Sequence, residues 1–348
     1  MSALASEQSS GADGAAIAHR PPHELPRREP PREPRRGQGA PRAVMIDGWL
    51  YDAREFERSR LPSEHDLDAI ASGLAANAVA CAGVGSVYMP VLVPAKRHLV
   101  GAAAAGDRRW IRALRARLRD VDEVELHDLL AVLRDATRHG PLYHRTDADW
   151  NDRGAFFAAR AMLKEVHKRL PALAPLALSE LRLRAVGQYR GSLAEAVLLQ
   201  SAEQELVICE AEVQAEEGVV IDAHALQALR MPLEPHLLDA GAGHVRVYVN
   251  PALQTGADSP ADASRCLAVV GDAATLAVVR WLAERAARTT FFSSQTLPLE
   301  EIERERAPVA FHMIREHELL EPGRRSFGEP SVFRPGEASG RAALNGRE

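Results

Sequence analysis

The chain has 348 residues and a formal net charge of −5. That length suits one large α/β domain or two smaller ones, and the mild negative charge excludes a global attraction to nucleic acid or to an anionic membrane. Its three cysteines, Cys81, Cys209 and Cys266, are far apart; lacking metal-site spacing or a disulfide framework, they read as buried thiols.

Residues 1–43 contain Arg20-Pro21-Pro22-His23 and Arg27-Arg28-Glu29-Pro30-Pro31-Arg32 and no apolar stretch. They read as a disordered Pro/Arg-rich arm and not as a signal peptide, so the chain as given is expected to be cytoplasmic. Ile46-Asp47-Gly48-Trp49-Leu50-Tyr51 follows, with Trp49 and Tyr51 alternating as a short strand requires. Ser63-Glu64-His65-Asp66 has the form of a capping box, and Leu67, Ile70 and Leu74 continue it at helical spacing, predicting a helix over 63–81. The longest apolar stretch, Ala78 to Pro94, is broken by glycines and Pro90. It fits a buried strand over Val84 to Val93, not a membrane span. Lys96 then stands at the mouth of that strand, either facing a ligand or capping a loop.

A helix over Asp107 to Arg119 places Trp110, Ile111, Leu114 and Leu118 on one stripe and arginines on the other, a solvated face. A strand is expected at Val121 to Leu126, a helix at His127 to Arg138, a strand edge at Pro141-Leu142-Tyr143 and a helix over Asp152 to Leu170. From Leu178 to Val249 the pattern is strand-rich: Leu181 to Val186, Leu206 to Val213, Gly218 to Ile221 and His244 to Val249. The last unit has strands at Cys266 to Asp272, Thr290 to Ser293 and Val309 to Met313, with helices over Ala274 to Arg288 and Leu299 to Arg306. Strands alternating with helices predict an α/β fold with a doubly wound parallel sheet. The folded part is placed at 44–320, with a β-rich insertion at about 178–250. Residues 321–348 read as a disordered tail.

Two segments carry the chemistry. One is Leu142-Tyr143-His144-Arg145-Thr146-Asp147-Ala148-Asp149-Trp150-Asn151. The other is Leu267-Ala268-Val269-Val270-Gly271-Asp272-Ala273-Ala274-Thr275, a buried strand, a Gly-Asp turn and a helix start. The first resembles the "Y-x-R-T-D-x-H-W-N-x-x-G" segment, and the second the "G-D-S-F" block, of the alginate-type SGNH-hydrolase-like O-acetyltransferases (the AlgX/AlgJ-like, DHHW family). Further echoes are Asp47-Gly48-Trp49-Leu50-Tyr51, Val91-Leu92-Val93-Pro94-Ala95-Lys96, and the closing Ala307-Pro308-Val309-Ala310-Phe311 with Glu316-His317-Glu318-Leu319-Leu320.

The resemblance implies an SGNH-like fold with the β-rich insertion between the two catalytic segments. It implies a polysaccharide or glycoconjugate as partner, together with a membrane-bound O-acyltransferase, in an exported setting. It places Asp147 at the orienting Asp, Asp149 at the basic His and Ala273 at the nucleophilic Ser, with Gly271, Asp272 and Ala274 around the oxyanion turn. Lys96, Arg145, Trp150 and Ser192 fall on the substrate side, Ser192 where the family reads an acid. A carboxylate near its ordinary pKa of ~4 is a far weaker base than imidazole at neutrality, and an alanine methyl attacks nothing. With both replaced, Ser-His-Asp chemistry is lost, and a pseudoenzyme without cofactor or metal is expected.

Two alternatives stay open. One is an acyltransferase or esterase with a rebuilt site using Asp147 and Asp149, for which His144, His312 and His317 are candidate bases and Ser293 and Ser294 nearby hydroxyls; Thr275 is expected to point away around the helix. The other takes Asp147-Ala148-Asp149 as the D-x-D of a metal-dependent glycosyltransferase.

Overall fold

The computed structural model describes residues 43–56, 61–100, 108–119, 124–180, 183–189, 191–194, 196–197, 216–221, 229–231, 245–253 and 263–319. All lie in one compact unit, Ala40–Glu348. The arm before Ala43, the tail, Cys209 and the strand expected at Leu206 to Val213 fall outside the described residues.

The order begins with a hairpin, β1 (Ala43–Ile46) and β2 (Trp49–Asp52). Its two-residue Asp47-Gly48 turn has both residues at positive φ, 52° and 76°, as the tight primed turns of hairpins require. Helix α1 (Glu64–Gly83) opens on the expected capping box: the Ser63 hydroxyl accepts the Asp66 N–H, and the Asp66 carboxylate accepts the Ser63 N–H. Then come β3 (Val87–Val93), α2 (Arg109–Arg119), β4 (His127–Asp128), α3 (Leu130–Ala136) and α4 (Asp152–His167). Strands β5 (Leu183–Tyr189), β6 (Glu216–Ile221), β7 (Leu229–Met231), β8 (Val245–Val249) and β9 (Cys266–Gly271) follow. The final part comprises α5 (Leu276–Ala283), β10 (Arg288–Ser293), α6 (Leu299–Arg304), β11 (Val309–Arg315) and α7 (Glu316–Leu319).

Among the described residues the central sheet has the order β4-β3-β11-β9-β10-β8-β7. The pairs from β4 through β10 are parallel, and β8 and β7 add an antiparallel edge. Side chains alternate between two cores, as the period of a strand requires. On one face Val269, Phe311 and Met313 pack with Leu133, Phe156 and Trp281; on the other Val270, Ala310 and Ile314 pack with Leu74, Trp110 and Leu114. Helices α3, α4 and α5 cover the first face, and α1 and α2 the second. The expected doubly wound α/β fold is therefore present.

Three details depart from the sequence expectation. Of the strand foreseen at Val121 to Leu126, residues 121–123 lie outside the described residues and the strand seen is His127–Asp128; the helix after it starts later, at Leu130, whose N–H donates to the Asp128 carboxylate. The β-rich stretch between the two segments divides: β5 and β6 form their own antiparallel pair, whereas β7 and β8 complete the central sheet. The helix expected from Ala274 begins as a 3-10 turn over Ala273–Thr275 and ends as α5 at Ala283. Among the described residues no helix is long and apolar enough to cross a membrane.

Candidate active-site cleft

The C-terminal ends of β3, β11 and β9 lie side by side, where open α/β sheets gather ligands. Loops leaving these ends meet the hairpin and the segment before α4. That segment is a tight loop closed by a bridge between Tyr143 and Trp150 and by the Asn151 N–H donating to Leu142 O at 2.9 Å. Asn151 also caps α4, its side-chain oxygen accepting the Gly154 N–H at 3.0 Å. Gly154 must be glycine, since a Cβ there would stand 2.3 Å from Leu142 O.

Lys96 holds the loop from inside. Its side chain is almost wholly buried, and its ammonium donates to Leu50 O at 2.7 Å, His144 O at 2.5 Å and Asp147 O at 2.8 Å. The same ammonium lies 5.1 Å and 5.3 Å from the Trp49 and Tyr51 ring centres. These bonds give Lys96 a structural role in holding the loop, and its side chain also borders the cleft. Arg145 likewise turns to Gly48 O, at 3.0 Å, on an exposed surface outside the cleft lining.

Asp147 and Asp149 diverge. Asp147 accepts a hydrogen bond from the Ser192 hydroxyl at 2.9 Å. Gly191 packs beneath it, a Cβ there falling 2.3 Å from Thr146 O. Asp149 instead pairs with Arg315 at 2.7 Å, and the other side of that guanidinium reaches Asp272 at 2.5 Å. Arg315 thus bridges the position of the expected base and the residue before the expected nucleophile. Burial pushes the Asp149 carboxyl up, as do Asp147 and Asp272, against the pull of Arg315. Asp272 goes the other way: burial opposes ionisation, but Arg315 and the Thr275 donors hold its carboxyl below the usual range. Arg315 stays charged between them. Behind it, buried Glu316 takes hydrogen bonds from His98 and Arg108, fixing the end of β11.

At the second segment, Gly271 closes on Thr275; a Cβ there would meet the Thr275 hydroxyl at 2.5 Å. The Thr275 hydroxyl and N–H both donate to the Asp272 carboxylate, so this turn is satisfied internally. Contrary to the sequence expectation, Thr275 lines the cleft: the 3-10 turn rotates it relative to an α-helical start. Trp150 joins the two segments, its indole N–H donating to Ala274 O at 3.1 Å.

Of the three histidines only His317 lines the cleft. Burial, with Arg315 and Arg54 nearby, lowers its imidazole to about 4, leaving it neutral at physiological pH. His312 is buried in the sheet against the Tyr88 hydroxyl, and His144 lies inside its loop. Ser293 and Ser294 do not line the cleft, Ser294 donating to Thr296 O.

The cleft has two parts. An inner chamber of about 30 Å³ is lined by Glu55, Lys96, Tyr143, Trp150, Thr275 and Met313 among others. An outer bowl of about 200 Å³ reaches Arg54, Asp147, Ser192 and Glu318. Asp52, Ala148, Asp149, Asp272, Arg315 and His317 border both. Sequence reasoning missed Arg315 and Glu55. An arginine ending a strand resembles any surface arginine, and only its place just before Glu316-His317 in the closing segment pointed toward the site.

The profile of the family described as the SGNH hydrolase-like domain, acetyltransferase AlgX, matches residues 45–227. This chain belongs to that family. The fold agrees with solved structures of low sequence identity. The O-acetyltransferase domain of Pseudomonas putida AlgJ has 17% identity and a TM-score of 0.51, covering 85% of this chain and 96% of that one. A DHHW family protein from Eubacterium siraeum has 15% identity and a TM-score of 0.54, with coverages of 82% and 93%. Bacillus cereus PatB1 carrying a sulfonyl adduct has 10% identity and a TM-score of 0.56, with coverages of 84% and 99%. No curated protein matches the sequence.

Proposed function

We propose that this family member is a pseudoenzyme, a glycan- or partner-binding component of polysaccharide or glycoconjugate acetylation that uses the old cleft without the triad. The observation that carries this reading is the Arg315 bridge. The guanidinium ties Asp149 to Asp272 where a base and a nucleophile would need a free path to a shared acyl carbon. Asp147, the expected orienter, is occupied by Ser192 instead of an imidazole. Residue 273 supplies no hydroxyl, and among the described residues the only histidine lining the cleft is a weak base. A membrane-bound O-acyltransferase is the partner that suits such a component.

The test is hydrolysis of an activated acetyl ester by wild type, Ala273→Ser, and Ala273→Ser with Asp149→His. We expect turnover at the level of the buffer for wild type and the single variant, with recovery in the double variant. Rapid turnover by wild type, abolished on changing Thr275 or Ser192, would establish a rebuilt active site instead. The D-x-D glycosyltransferase alternative has less support, because Asp147 and Asp149 face different partners. Among the described residues no three His, Cys, Asp or Glu side chains converge in a metal-holding arrangement.

A further inference from the structure

The inner chamber and the outer bowl meet where Asp149, Asp272, Arg315 and His317 border both. Two nitrogens of the Arg315 guanidinium are taken there, Nη2 donating to Asp149 at 2.7 Å and Nε pairing with Asp272 at 2.5 Å. The third, Nη1, meets no acceptor among the described residues, and the side chain keeps 20% of its surface open. A planar guanidinium clamped in this way holds its remaining donor in a fixed direction, so a ligand oxygen that takes it costs little further side-chain freedom. Beside it the Asp149 carboxylate is 37% exposed; one of its oxygens takes Arg315, and a carboxylate can accept more than that one bond.

The rest of the chamber wall offers a polar ligand little. The Tyr143 hydroxyl donates to Pro94 O, the Trp150 indole to Ala274 O, the Thr275 hydroxyl to Asp272 and the Lys96 ammonium to backbone carbonyls. Glu55 takes the Arg97 N–H, and Asp52 takes the Arg54 guanidinium. Between these partnered groups the lining is apolar, made by Val93, Pro94, Ala95, Ala148, Ala274 and Met313. Its volume of about 30 Å³ admits one group the size of a methyl or a water. A ligand that fits has a methyl-sized apolar end, an acceptor oxygen for Nη1 and an N–H or O–H for Asp149.

We propose that the cleft recognises the acetamido group of an N-acetylated sugar: methyl in the inner chamber, carbonyl oxygen on Arg315 Nη1, amide N–H on the Asp149 carboxylate, and sugar ring in the outer bowl. This rests on the reading of the cleft as a glycan site and adds the chemical class of the glycan. The other candidates each miss one requirement. An ammonium satisfies Asp149 and leaves Nη1 without an acceptor, and an ester supplies methyl and oxygen but no N–H. A carboxylate on Nη1 stands against the like charges of Asp149 and Asp272. A metal ion finds no three convergent His, Cys, Asp or Glu side chains among the described residues. The bowl, at about 200 Å³, adds Asp147, Ser192 and Glu318 as partners for ring hydroxyls.

The test is calorimetric titration of the full chain with three β-1,4-linked tetrasaccharides, of N-acetylglucosamine, glucosamine and glucose, which differ only in the substituent at one ring carbon. The acetamido form is expected to bind about tenfold or more tightly than either of the others, the scale set by filling a methyl pocket and pairing its polar rim. Ala274→Val fills the chamber and keeps the backbone carbonyl that takes the Trp150 indole N–H. It should remove the acetamido preference and leave the affinity for the glucose tetramer unchanged, a pattern that loss of folding does not give. An acetamido form that binds no more tightly than the others, or a preference undiminished in Ala274→Val, overturns the assignment and leaves the glycan reading standing. Binding of none of the three sugars overturns both.

Discussion

Replacing Lys96 with methionine separates the structural role of this side chain from the substrate role that its place in the motif implies. The variant keeps most of the apolar stem and removes the ammonium. Three buried carbonyls, Leu50 O, His144 O and Asp147 O, then lose donors at 2.7, 2.5 and 2.8 Å. An unsatisfied buried acceptor costs about 1–3 kcal/mol, and bonds from charged donors lie at the upper end. Offsetting this, methionine avoids the desolvation of a buried ammonium, which is worth several kcal/mol. The net expectation is a loss of about 3–4 kcal/mol, or roughly 10 °C in melting temperature for a domain of this size. Urea unfolding and thermal melting followed by circular dichroism measure it. Because the same carbonyls shape the loop carrying Asp147, near-ultraviolet dichroism of Trp150 should change in the folded variant. A loss below about 1 kcal/mol with an unchanged aromatic signal would refute the strut and return Lys96 to the ligand-facing set.

Arg315→Met leaves Asp149 and Asp272 facing each other. In wild type Arg315 holds the Asp272 carboxyl down, so its stabilising contribution is present above the unfolded pKa and fades as pH falls. In the variant two uncompensated carboxylates repel when ionised. The stability deficit should be about 2 kcal/mol near pH 7, allowing for partial solvent screening, and should narrow in acid; a constant deficit between about pH 7 and pH 4 would disprove the bridge. Glu55→Gln tests the opposite sign. A carboxyl raised to about 7 in the folded state favours folding below its unfolded value, and that contribution is lost as pH rises through about 7. Wild type should therefore lose about 3 kcal/mol relative to the variant between about pH 4.5 and pH 7.5, measured as the difference in unfolding free energy. Gly154→Ala drives a Cβ to 2.3 Å from Leu142 O and 2.9 Å from the Trp150 Cβ, so a loss of about 1–3 kcal/mol is expected. Gly83→Ala meets no atom within 4 Å at the end of α1 and should be neutral or stabilising by about 0.5 kcal/mol.

The fold was legible where local signals and tertiary packing agree. Ser63 and Asp66 start α1 as their spacing predicts, and the strand patterns at β3, β9, β10 and β11 give the parallel sheet. Reading failed where a local contact overrode the pattern, as where Asp128 pairs with β3 and its carboxylate takes the Leu130 N–H, so that α3 starts after it. It also failed at Thr275, because an α-helical rotation of 100° per residue was assumed for a turn wound more tightly. The two segments holding Asp149 and Ala273 were found from sequence because their glycines, Trp150 and Asn151 are demanded by close packing and capping. Arg315 was not, since no local rule distinguishes an arginine reaching across a cleft from one reaching into water. Glu55 was hidden for the same reason: burial of a single carboxylate is decided by the hairpin docking above it, not by its neighbours in sequence.

The hydrogen bond from the Trp150 indole to Ala274 O links residues 124 positions apart. A letter used for shape feels no pressure when the neighbouring letter loses its reaction, so the tryptophan of the D-x-D-W segment can outlast the histidine beside it. A motif of this kind is a composite inscription, part recipe and part blueprint. Searches weighted toward the blueprint letters gather members whatever stands at the recipe positions, and sorting them requires reading the recipe letters alone.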